Sequence, residues 1–176
     1  MKKVKFLILA TAISFVTLAL HAQDKTRIMN DSKEAKAAFI KADPGLEKKF
    51  MEAYGYAILP NVGKGGVIVG GAGGNGTVYT KGKAIGTVNM VQASVGAQIG
   101  GQAFREAIFF ETKEALDRFK DNKFQFSSQL SALAVKTGVS ANMQYTEGVA
   151  VLTESKGGLM AEATVSGQKF TYKSLN

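Results

Sequence analysis

Between Glu52 and Glu106 the chain has no acidic residue, yet it holds fourteen of its twenty glycines and four cations, Lys64, Lys81, Lys83 and Arg105. Glycine allows positive φ and close backbone approach, and missing carboxylates leave nothing to repel an anionic partner. Short apolar runs recur between the glycines, so the stretch reads as a backbone-permissive, cationic β surface and not as a linker.

The first residues have a different character. Lys2, Lys3 and Lys5 precede an apolar run from Phe6 to Leu20, and Leu20-His21-Ala22 supplies a small-residue cleavage site, so residues 1–22 read as a signal peptide cut after Ala22. The run is short for a membrane span, which needs ~20 apolar residues. No cysteine follows it to carry a lipoprotein anchor. An exported protein is expected, periplasmic or associated with the outer membrane. Without the three lysines, 19 cations face 14 acids, a mildly basic +5 that does not suggest nucleic acid. The 154 residues after Ala22 suit one domain with its own core, which must hold without disulfides.

The only histidine, His21, lies in that leader, and the chain has no Cys or Trp. Ser-His and Cys-His nucleophiles, thiolate sites and His-ligated metals are therefore excluded from the mature chain. No enzyme activity, cofactor or metal is expected.

Residues 23–30 are polar and read as a flexible N-terminus. Asp31 and Glu34 are spaced like a capping box, predicting a helix near 32–42. Asp43 as N-cap and Pro44 in the first turn predict a second helix, with Leu46, Phe50 and Tyr54 on one face and Gly55 at its end. The period then becomes two. Tyr56 to Leu59 and Val67 to Val69 suggest a hairpin around residues 63–66. Thr77 to Thr80 turns at Lys81-Gly82-Lys83 into Ala84 to Val88. From Val91 to Ile99 the odd-numbered residues are apolar and expected inward. Ala107 to Phe110 is a strand, Thr112 caps a short helix over 113–121, and Phe124 to Val135 favours strand. Val149 to Leu152, Leu159 to Val165 and Lys169 to Tyr172 read as a closing meander. Tyr56 to Tyr79 and Gly148 to Tyr172 look like copies of one pattern, with coincidence an equal alternative.

Gly71-Ala72-Gly73-Gly74-Asn75-Gly76 fits a dinucleotide fingerprint, but strand-like Thr77 to Thr80 follows where a helix is needed, so a glycine-rich turn is expected. Gly63-Lys64-Gly65 lacks the other residues of a phosphate-binding loop. Asp117 and Asp121 sit among Lys113, Arg118, Lys120 and Lys123 and read as a solvated charged face. Glu106 and Glu111 point to opposite faces by parity, against a paired-carboxylate site. Lys33, Lys36, Lys41, Lys48 and Lys49 accompany Phe39, Ile40, Leu46 and Phe50. That pattern suits either an amphipathic segment on an anionic bilayer or a helix pair covering a sheet.

Five segments in order, YGYAILPNVGKGG, VIVGGAGGNGTVY, ASVGAQIGGQ, AIFFETKEALDRF and SKGGLMAE, resemble the SYLF domain, a lipid-binding family whose bacterial members are exported envelope proteins. The resemblance covers roughly Ala35 to Tyr172. It implies a non-enzymatic module that binds anionic membrane lipid, phosphoinositides or phosphatidic acid in eukaryotic members, some of which also bind actin. In an exported chain actin is not an expected partner, and phosphatidylglycerol, cardiolipin or phosphatidic acid are the expected ligands. By position, the family's basic amphipathic segment falls on Lys33 to Phe50 and its glycine-rich core on Gly55 to Gly76.

The expectation is a single α+β domain over 31–176, a largely antiparallel sheet or barrel-like sandwich with N-terminal helices and one short internal helix packed on it. Its lipid contacts would be Lys33, Lys36, Lys41, Lys48 and Lys49, with Lys64 and Arg105 in support, followed by shallow burial of Phe39, Ile40 or Phe50. The alternative is a structural or protein-interaction module of the envelope, self-associating through the small-residue face of Gln92 to Gln98. An enzyme using Tyr54, Tyr56 and Lys64 in one cleft ranks third.

Overall fold

A computed structural model of the chain describes residues 24–63, 71–93, 103–122, 124, 126, 131–156, 165 and 167–175. The expected strand Val67 to Val69, the alternation beyond Ala93, Lys64, and all of the expected strand Leu159 to Val165 except Val165 itself lie outside them.

Helix α1 occupies residues 24–42, and α2 (Gly45–Glu52) follows. Strands β1 (Gly55–Gly63), β2 (Gly71–Thr80), β3 (Lys83–Ala93) and β4 (Phe104–Phe110) precede helix α3 (Lys113–Lys120). Strand β5 (Ala132–Ala134), a 3-10 turn (Val139–Asn142), β6 (Val149–Ser155) and β7 (Gln168–Ser174) complete the order. One seven-stranded sheet runs β5-β6-β4-β1-β2-β3-β7, antiparallel except for the β5–β6 pair. The α+β class and the antiparallel sheet agree with the sequence pattern.

Residues 24–30, expected to be loose, are helical. Ile28, Ser32, Ala35 and Phe39 recur on one helical face, and the sheet receives that face: Thr77 Oγ1 donates to the Ile28 carbonyl (3.5 Å) and Ser32 Oγ to that of Ile58 (3.2 Å). Asp31 is thus inside the helix and caps nothing. The N-cap of α2 is Pro44, not Asp43 as expected, but Asp43 just before it still acts at the helix start: Oδ1 accepts from Gly45 N (3.1 Å), while Oδ2 accepts from Ser140 N (2.7 Å) and ties the helix to the 3-10 turn. Those bonds, Ser140 first, hold the Asp43 carboxyl below its ordinary range, so this stabilisation is present above that range and fades on acidification. Asp43→Ala is expected to cost about 2 kcal/mol in urea unfolding near neutral pH. Helix α2 ends at Glu52, before Gly55, so Tyr54 lies beyond it. Thr112 caps α3 as expected, accepting from Ala115 N.

Strands β1 and β4 are buried on both faces, which is why they read as continuous apolar runs. On the outer face Tyr56, Ile58, Tyr79, Ala107, Phe109, Ala150 and Leu152 meet Phe39 of α1 and Leu46 and Phe50 of α2. On the inner face Ala57, Leu59, Val78, Met90, Ile108, Phe110 and Phe170 meet Leu116 and Phe119 of α3. In a flat sheet β4 and β7, four strand spacings apart, would stand ~19 Å from each other. Here Gln168 Nε2 of β7 donates to Glu106 Oε2 of β4 at 2.9 Å, and the Phe119 ring lies 4.8 Å from Phe110 and 5.0 Å from Phe170. The sheet therefore curls, barrel-like, around its inner core.

Other expectations change. Gly71 to Gly76 is not a turn but half of β2, paired with β1 and β3. Strands β6 and β7 are not neighbours, because β6 pairs with β4 and β7 with β3, and the middle strand of the expected meander lies outside the described residues. That also separates the two look-alike segments, since β1 and β2 are neighbours and β6 and β7 are not. Val91 is exposed, because β3 turns its even-numbered Val88 and Met90 into the core.

Candidate functional site

The helices that carry the expected lipid contacts lie on the sheet. Phe39 is fully buried and Phe50 is 3% exposed, with its ring 4.7 Å from Phe109 and 5.0 Å from Tyr56. Ile40 is half-buried against the same cluster. Inserting Phe39 or Phe50 in a bilayer would first require lifting α1 or α2 from the sheet, so in this fold neither is an exposed anchor. Lys36 is also engaged internally: its Nζ donates to Tyr56 Oη (3.0 Å) and stands 4.9 Å over both the Phe50 and Tyr56 rings.

Lys33, Lys41 and Lys48 are exposed and Lys49 is half-buried. They share the helix surface with Asp31, Glu34, Glu47 and Glu52, and Lys48 pairs with Glu52 at 3.6 Å. Arg105 is half-buried in an ion pair with Glu154 (2.8 Å), opposite it across β4–β6, which neutralises it. The sequence pattern brings these cations together but does not leave them without counter-charges.

The strands tell the opposite story. No Asp or Glu occurs in β2, β3 or β7. Lys81 and Lys83 are exposed at the β2–β3 turn, where Lys81 (φ 48°) and Gly82 (φ 76°) make the left-handed pair that suits a two-residue hairpin. Lys169 and Lys173 are exposed on β7, which forms one edge of the sheet. Reading the chain for basic helices missed these two lysines. The signal that finds them is the lack of acids, which marks the glycine-rich stretch and recurs in the last strand.

The chemical alternatives fare differently. Tyr54 packs on the inner face of the sheet and Tyr56 on the outer, so they share no cleft. The glycine fingerprint runs on as strand, without the helix a pyrophosphate needs. Asp117 is held by Lys113 and by Lys120, which push its carboxyl down to about 2, as suits a charged surface. Glu106 is buried within β4, whereas Glu111 lies just past its end and is exposed. Most of the Gln92 to Gln98 face lies outside the described residues.

Residues 91–174 match the family described as Ysc84, Las17-binding protein actin regulator, which is the SYLF domain. The chain thus carries a SYLF-domain match over residues 91–174, just under half of its length. The match runs from the end of β3 through β7 and so includes the curled half of the sheet and α3. Over 127 residues, 72% of its length, the chain is 27% identical to beta cell expansion factor A of Aeromonas veronii. It spans about half, 49%, of that relative's own length. Among the described residues, no helix is long and apolar enough to cross a membrane.

Proposed function

We propose that the protein binds anionic membrane lipid without catalysis, as an exported component of a bacterial cell envelope. The observation that carries this reading is the set of exposed lysines, Lys81, Lys83, Lys169 and Lys173, on and beside strands that hold no carboxylate, which favours an anionic partner. The SYLF match over residues 91–174 supports it, because lipid binding is what the resemblance implies. A cation near an anionic bilayer contributes roughly 1 kcal/mol, so a few such lysines suffice for reversible attachment.

Cosedimentation of the purified protein with phosphatidylglycerol-containing vesicles and with pure phosphatidylcholine vesicles is the direct test. Binding is expected to the first only, and to be lost above ~0.5 M salt, where surface charges are screened within a few ångströms. Negligible binding to both kinds of vesicle would overturn the reading.

A further inference from the structure

We propose that the surface meeting the membrane is the outer face of β3 and β7, and not the α1–α2 layer. The proposal rests on the lipid-binding reading and adds the place and manner of contact.

The β3–β7 register sets Val91 opposite Lys169, Asn89 opposite Thr171 and Thr87 opposite Lys173. These side chains share the face that α1 covers further along the sheet. There Thr77 is buried under the Ile28 carbonyl, and its β3 neighbour Thr87 is half-buried. Beyond that point the cover ends. Asn89, Val91, Lys169, Thr171 and Lys173 are all exposed, as is Asn75, whose Oδ1 accepts from Asn89 Nδ2 at 2.9 Å. Three strands thus present a shallow polar face, with Lys169 and Lys173 ~13 Å apart along its edge.

Charge selects this face over the helices. Lys33, Lys41 and Lys48 lie on helices that carry five carboxylates, Asp24, Asp31, Glu34, Glu47 and Glu52, whereas β2, β3 and β7 contain none. Among the described residues, an anionic surface therefore meets less offsetting repulsion at the strands than at the helices.

Apolar exposure gives a second, independent reason. Among the described residues the exposed large hydrophobics are Met51 and Val91. Met51 stands near Glu47 and Glu52 on α2, but Val91 stands beside Lys169, a cation paired with an apolar contact as an interfacial anchor requires.

The same face argues for lipid against single-stranded nucleic acid. Its described residues include no aromatic ring for bases to stack on, because Phe170 turns into the core and Tyr172 Oη donates to the Ile85 carbonyl (3.0 Å).

The experiment compares the native protein, as the cell processes it, with K169E/K173E and with K33E/K41E/K48E, all at low salt on phosphatidylglycerol-containing vesicles. Every changed side chain is exposed, and matched thermal melts establish that each variant is folded. K169Q/K173Q provides a milder form of the strand variant. The strand reversal is expected to weaken binding at least about tenfold and the neutral form less, with the helix variant close to native. V91N is expected to weaken binding severalfold without changing its salt dependence. Loss of binding in the helix variant alone would overturn the proposal while leaving lipid binding intact. Absence of native binding would overturn both. Equal competition by a single-stranded oligonucleotide would overturn the choice of lipid as partner.

Discussion

The stability advantage of Glu106→Gln over the native protein is expected to widen by about 3 kcal/mol between about pH 4 and about pH 8. Glu106 is fully buried on the inner face of β4. The residues facing it are Leu59 of β1 and Thr153 of β6 in register, its neighbours Phe104 and Ile108 along β4, and Gln168 of β7. None of them is charged, and Arg105 points to the other face. Burial pushes the carboxyl from its ordinary 4.5 up to about 7, against the smaller opposing effect of the Gln168 hydrogen bond. A carboxyl whose folded pKa is raised holds its proton in the native state after the unfolded chain has released it. The neutral form therefore stabilises the fold fully below about pH 4.5, and that contribution is lost as the pH rises through 7. Glu106 Oε1, Thr153 Oγ1 and Gln168 Oε1 are buried without partners, and a glutamine brings an N–H donor to this group of acceptors without adding a charge. Urea unfolding of both proteins across this pH range makes the measurement. Parallel curves would show that Glu106 does not carry a raised pKa.

That carboxylate also shows where sequence reasoning stops. Its parity was legible: in Phe-Arg-Glu-Ala-Ile-Phe-Phe the even-numbered residues share a face, and Glu106 follows Phe104 into the inner core. Its partner was not legible, because Gln168 reaches it across a sheet that has curled through three intervening strands. Alternation fixes the face of a residue and says nothing about which strand lies beside it. The same limit accounts for β6 and β7, consecutive among the described strands and placed toward opposite ends of the strand order. Local chemistry was better determined. Thr112 as a cap, Lys81-Gly82 as a turn and Asp43 at the start of α2 depend on a few neighbouring atoms, and all are found. The basic helices sit between these cases. Their amphipathic spacing was plain, but spacing alone cannot distinguish a bilayer from a sheet as the surface covered. The rings of Phe39 and Phe50 are on the sheet, and Lys36 follows them because its stem and charge find aromatic faces there. Lys169 and Lys173 looked ordinary in sequence. They gain meaning only when the fold sets β7 beside β3, on a face without acids.

Gly76→Ala is expected to destabilise the protein by about 4 kcal/mol or more, or to prevent its folding, although it adds one methyl group. Gly76 has no unusual dihedral to preserve. Its constraint is space: a Cβ there would lie 2.2 Å from the Ile58 carbonyl oxygen, 2.8 Å from its carbon and 3.0 Å from Leu59 Cα. All three are backbone atoms of a central strand held between β2 and β4, so no rotamer change can relieve the clash. The closeness has a cause in the sequence. Pro60 cannot donate to the ladder, and β1 shifts register between Ile58 and Asn61 against β2 and between Leu59 and Val62 against β4. The irregular β1 backbone at this point meets β2 where it reads Gly73-Gly74-Asn75-Gly76, and a Cβ on Gly74 would likewise lie 2.7 Å from the Asn61 carbonyl oxygen. These glycines make room for a neighbouring strand, and phosphate binding is not needed to account for them. Gly82→Ala is the control. It occupies a left-handed turn position (φ 76°) with no atom near its Cβ, so it carries only the backbone strain of about 1 kcal/mol. Chemical denaturation of the two variants separates the mechanisms. Comparable small losses would mean that β1 and β2 do not pack this closely, whereas a loss confined to Gly76 ties the glycine-rich segment to the bulge beside it.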